Sequence, residues 1–121
     1  LICALGADCT VTLTGVNMEI SKRGMVVPLD TECGSDTGGP VADFPGDPAY
    51  GDGVSYLADD DGTQLKWGYV DQTKVIPDTY RACWCHEGSN CTTLTDFKVS
   101  LGQMTIIGPK EWEETKNCGV N

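Results

Sequence analysis

Basic residues are scarce in this chain: eight Lys and Arg stand against eighteen Asp and Glu, a formal net charge of -10. That balance repels phosphate backbones and anionic lipid surfaces, and so argues against nucleic acid as a partner. Histidine occurs once, at His86. A hydrolytic site needs a nucleophile, a base and an orienting group, and a single histidine in a short glycine-containing loop reads as solvent-exposed. G-x-S-x-G, H-E-x-x-H and phosphate-cradling glycine loops are all missing, so no catalytic residue is assigned and no enzyme is expected. No run approaches the roughly 20 apolar residues that span a bilayer, so membrane insertion is not expected. The opening Leu1-Ile2-Cys3-Ala4-Leu5-Gly6 has no initiator Met, basic n-region or full apolar h-region, and reads as a mature chain or an excised module. Good helix formers are too scattered to build an amphipathic stripe.

What the chain does have is turn chemistry and sulfur. Fifteen glycines and six prolines among 121 residues favour short strands and many turns around a single core. Seven cysteines, at positions 3, 9, 33, 83, 85, 91 and 118, mean either metal or disulfides. Zinc sites usually carry two pairs of thiolates two to four residues apart, whereas here only Cys83-Trp84-Cys85 is close, with one intervening residue. Disulfides, and hence an extracellular or cell-surface location, are the better reading. Cys3 and Cys9 enclose five residues, as do Cys85 and Cys91, and each loop holds a glycine, so both pairs are expected to close as staples. Cys83 and Cys85 share one face of a strand and must bond to different partners, which leaves Cys33 for Cys83. Cys118 is then unpaired and is expected to bond to another chain or module.

Thr10-Val11-Thr12-Leu13-Thr14-Gly15 alternates like a half-buried strand, and Gly24-Met25-Val26-Val27-Pro28-Leu29 reads as a strand that ends, or lies at an edge, at Pro28. From Gly24 to Gln64 there is no base but nine acids, in a long loop region pinned at Cys33. Long ordered loops are often functional, which makes this the candidate surface for calcium or a partner, with Asp59, Asp60 and Asp61 as weak calcium candidates. Those three lack the ligand spacing of an EF-hand and read first as a solvated acidic turn; no cofactor is assigned. Tyr50, Tyr56 or Trp67 are the aromatic side chains such a surface would present to a glycan or receptor.

Residues 54–58 and 64–70 are expected to form a hairpin with Leu65, Trp67 and Tyr69 on one core-covering face. Residues 95–101 are expected to bury Phe97, Val99 and Leu101, then to turn or bulge at Gly102-Gln103 into a further strand. The polar tail carries an isolated Trp112 that could reach a neighbour. The domain reading is thus one module over 1–109 and an arm or linker over 110–121. Asn90-Cys91-Thr92 is an N-glycosylation sequon, with Asn90 as acceptor.

About seven short strands make the expected fold an all-β, disulfide-stapled β-sandwich, immunoglobulin-like in the broad sense. A true immunoglobulin domain is not assigned. Tyr80 lies three residues before Cys83, where the tyrosine corner of those domains has two, so Tyr80 and Cys83 face opposite sides.

Tyr80-Arg81-Ala82-Cys83-Trp84-Cys85, Cys91, Phe97-Lys98-Val99 and Gly102-Gln103-Met104-Thr105-Ile106-Ile107-Gly108-Pro109 together resemble a cysteine-rich module repeated in tandem in large extracellular proteins of alveolate protists, similar to cysteine repeat modular proteins. The resemblance covers the last 40 or so residues best and continues more loosely through the spacing of Cys3 to Cys33. It implies an extracellular structural or adhesive role, with no catalytic residues. It also implies that Cys118 plays the part of Cys3 in a following unit, although Cys118-Gly119-Val120-Asn121 differs from Cys3-Ala4-Leu5-Gly6. The expected function is a structural module assembling head to tail with copies of itself or neighbouring modules; the alternative is a calcium-dependent adhesive or glycan-binding module.

Overall fold

The computed structural model describes residues 1–12, 23–56, 64–85 and 91–108. Their strands are β1 (Ile2–Ala4), β2 (Asp8–Thr12), β3 (Gly24–Pro28), β4 (Gln64–Tyr69), β5 (Thr79–Trp84) and β6 (Val99–Ile107), with one 3₁₀ turn, Leu94–Asp96. β1, β6, β5 and β3 form a four-stranded sheet in that order, and β2 pairs with β4 in a second. β1 runs parallel to β6 and every other pairing is antiparallel. The chain is a disulfide-stabilised β-sandwich. Its β2–β4 and β3–β5–β6 groupings correspond to the B–E and C–F–G strands of an immunoglobulin-like sandwich.

Alternation along each strand decides which side chains meet. In β5, Ala82 and Trp84 face the second sheet and pack with Val26, Met104 and Ile106, against Cys9, Val11, Leu65 and Trp67 from β2 and β4. The intervening Cys83, with Cys85 beyond the strand, points to the opposite face and packs with Met25, Val27, Leu94 and Phe97. β3 is therefore buried on both faces, which explains its continuous Gly-Met-Val-Val run.

The disulfides hold these layers together. Cys3–Cys9 ties β1 of the first sheet to β2 of the second, while Cys33–Cys83 and Cys85–Cys91 clip loop segments over the outer face of β5. Three disulfides mean an oxidising, non-cytosolic environment. Among the described residues, no helix is long and apolar enough to cross a membrane.

Six strands are described, in keeping with the expected sandwich of about seven, and residues 13–15 of the strand expected from Thr10 lie outside the described residues. Several expectations need correction. Residues 95–101 do not form one strand: a 3₁₀ turn ends at Asp96, and β6 starts at Val99, which is 46% exposed, not buried. Gly102-Gln103 does not separate two strands. β6 runs through it with one extra residue, Leu101, because Ala82 pairs with Gly102 while Cys83 pairs with Ser100. Of the expected first hairpin strand, Val54 bridges to Met25, Ser55 N–H donates to Gly24 O and only Tyr56 N–H, to Lys66 O, reaches β4 among the described residues; residues 57 and 58 lie outside them.

Tyr80 and Cys83 do face opposite sides, yet the tyrosine hydroxyl donates to Ile76 O at 2.6 Å. This is the hydrogen bond of a tyrosine corner. The offset from cysteine does not matter here, because Cys83 bonds outward to Cys33 and not across the sandwich.

Candidate functional site

The long acidic segment is packed, not loose. Phe44, with no solvent exposure, inserts into the main core and meets Tyr80 edge-on at 6.4 Å between ring centroids. Val41 N–H donates to Val26 O and Val26 N–H donates to Gly53 O, so the segment also covers the open edge of β3. Arg23 anchors it from beneath. This arginine is 7% exposed; its Nη1 contacts Asp47 Oδ2 at 2.6 Å and donates to Ser55 O at 3.0 Å, and its guanidinium lies 3.7 Å from the Tyr50 ring centroid. The Ala49 N–H and the Arg23 guanidinium hold the Asp47 carboxyl below the usual carboxylate range. Gly46 completes the anchor, because a Cβ there would lie 2.4 Å from Gly51 O.

This anchored segment forms one wall of an open groove, and β4 forms the other. The groove has a volume of about 480 Å³ and is lined by Asp43, Pro45, Pro48, Asp52, Tyr56, Tyr69 and Lys74, among others. A second depression of 360 Å³, bordered by Asp8, Thr10 and Lys66, shares Tyr56 and Gly68 with it. The two depressions adjoin at Tyr56 and Gly68, and together they are called the trough below.

A bulge creates the aromatic character of this trough. Cys9 pairs with Gly68 but Thr10 pairs with Lys66, so Trp67 is an extra residue in β4. Gly68 absorbs the kink at a φ of +116°, a conformation that side-chain-bearing residues rarely adopt. Leu65 and Trp67 consequently point inward with no exposure, while Tyr69 is turned outward and is 56% exposed. Sequence reasoning placed all three on one face; the glycine between two aromatics was the available signal for a bulge.

The walls are tied together through buried polar groups. Trp67 Nε1 donates to Gly53 O at 2.7 Å, linking β4 to the loop. On the exposed rim, Asp43 adopts a left-handed φ of 66°, and its N–H donates to Asp52 Oδ2 at 2.8 Å, which holds the Asp52 carboxylate in place. Beside Lys74, the Thr73 hydroxyl and N–H lower the Asp71 carboxyl below its ordinary value, with a smaller contribution from the lysine charge.

The candidate aromatics thus separate. Tyr56 lies in the trough and is 43% exposed, and Tyr50 is exposed with Arg23 against its ring. Trp67 cannot present itself to a ligand, because it is wholly buried in the core. Cys118, Trp112, Asn90, His86, Asp59, Asp60 and Asp61 lie outside the described residues. Among the described residues, no three His, Cys, Asp or Glu side chains converge as a metal would require.

The sequence matches no family model, no curated protein and no solved structure.

Proposed function

We propose that this chain is an extracellular structural module that assembles head to tail, in a tandem array or filament, through a bond from Cys118 to a neighbouring copy or module. The observation that carries this reading is cysteine bookkeeping: the other six cysteines are consumed in three internal disulfides, so Cys118 has no partner left within the chain. Two further features support it. β1 and β6 are parallel, so the first and last described strands point the same way, which suits successive modules following one axis. Ile2, 66% exposed, and Ile107, 38% exposed, offer apolar contact beside the β1 edge. Non-reducing electrophoresis with thiol titration tests the proposal. Disulfide-linked oligomers that collapse in Cys118→Ser are expected; monomer alone with one titratable thiol overturns the covalent assembly.

A second reading is favoured by the trough. An adhesive or glycan-binding module presents exposed aromatic faces with a few polar groups on a rigid frame, and Tyr56, Tyr69 and their anchored rim fit that description. Calcium dependence is a separate element of this reading, tested by melting the protein with and without millimolar calcium. An unchanged melting temperature removes it.

A further inference from the structure

We infer that the trough over β4 binds an uncharged carbohydrate chain without calcium, with Tyr56 and Tyr69 as its stacking faces. This inference rests on the glycan-binding reading above and narrows it to one surface and one ligand class.

The charges of the lining select the ligand. Asp43 and Asp52 stand against Lys74 in the larger depression, and Asp8 stands against Lys66 in the smaller. A polyanion meets three carboxylates in the trough and a polycation meets two ammonium groups. Each therefore faces like charge along its length. A neutral polyol meets no such penalty. Its hydroxyls both donate and accept, so carboxylates, ammonium groups and the Thr10 hydroxyl can all pair with it.

Shape and rigidity agree with charge. The two depressions meet at Tyr56 and Gly68, so together they suit an internal stretch of a chain better than an isolated sugar end. Tyr56 N–H is bonded to Lys66 O, and Tyr69 lies further along the same strand beyond the bulge, so the two tyrosines stand at different points along the groove. The wall holding Tyr56 is already fixed by the Trp67 bond to Gly53 and by the Arg23 anchor, so little ordering entropy is lost on binding.

The test is titration calorimetry of the full chain with cellohexaose, laminarihexaose, chitohexaose and mannohexaose at millimolar concentration in the presence of a calcium chelator, with heparin and polylysine as charged probes. Binding of at least one neutral hexasaccharide is expected. Tyr56→Ala and Tyr69→Ala should each weaken it about tenfold, while Tyr69→Phe, which keeps the ring, should retain most of it. Both tyrosines are exposed, and unchanged circular dichroism confirms that the variants fold. Sugar binding that is indifferent to both tyrosines overturns the trough assignment but leaves the glycan-binding reading standing. Sugar binding that disappears in chelator and returns with calcium overturns the calcium-free assignment in the same way. No neutral binding with or without calcium overturns both, whereas tighter binding of heparin or polylysine than of any neutral sugar overturns the uncharged assignment.

Discussion

The three disulfides should not contribute equally to stability, and the order can be worked out from the loops they close. Cys33–Cys83 closes a loop with a sequence separation of 50, against 6 for each of the other two. In the chain-entropy account, a cross-link stabilises by restricting the unfolded chain, by about 4 kcal/mol for the long loop and about 2 kcal/mol for each short one at 25 °C. Both Cys83 and Cys9 are fully buried, so replacing either pair with alanine adds a packing loss of similar kind, and the difference of about 2 kcal/mol survives. The comparison is best made in a Cys118→Ser background, which removes thiol exchange. Urea unfolding of C33A/C83A and C3A/C9A, with m-values checked for two-state behaviour, measures it directly. For a chain of this size, C33A/C83A should melt roughly 15 °C below its parent. If C3A/C9A costs as much as C33A/C83A, the loop-entropy reasoning fails. The tie that Cys3–Cys9 makes between the two sheets would then be the dominant effect.

Phe44→Ala removes a fully buried aromatic side chain that the acidic segment sends into the main core, and should cost about 3–5 kcal/mol in denaturant unfolding. Tyr80→Phe deletes the hydroxyl bonded to Ile76 O, and a loss of about 1 kcal/mol is expected in the same measurement. Asp47 has its folded carboxyl held below the unfolded value of 3.8. The stability it contributes is therefore present above that value and lost as pH falls through the lower folded one. Thermal melts between pH 2 and 6 should show Asp47→Asn with a shallower acid loss than the parent; identical profiles would mean the carboxylate is not coupled to folding. Gly68→Ala should destabilise the β4 bulge, measured as a lower melting temperature, because φ at +116° strains any residue with a Cβ.

Much of the scaffold was legible in the residues. Thr79 to Trp84 alternates cleanly, and its two-faced character followed from the spacing of Cys83 and Cys85. Pro28 marked a strand end, and the structure ends β3 there, on an edge strand. Individual strand limits departed from expectation where local pattern and pairing conflict. Gly102-Gln103 looks like a break locally, but β5 pairs on both sides of it, and the ladder absorbs the extra residue as a bulge. Residues 54–58 look like a strand by composition, but β4 offers them only one contact described here, from Tyr56 to Lys66.

The site was legible only in part. Tyr56 was singled out and does line the trough. Tyr69 was assigned to the core because strict alternation puts it with Trp67, and only the offset between Cys9 and Thr10 reverses it. Phe44 and Arg23 escaped notice for the same reason: each sits outside any periodic run, so nothing nearby in sequence tells whether it is buried.

By itself, then, the sequence determined the properties that depend on counting and spacing: the β-rich class, the oxidising environment, the short cysteine loops and the single odd cysteine. Loop length and residue type carry that information locally. Tertiary structure alone decided that an acidic loop would be nailed down by a buried arginine and a buried phenylalanine, and that a bulge would turn one tyrosine out beside another. Those outcomes depend on groups far apart in the chain competing for the same space, and no local pattern records which of them wins.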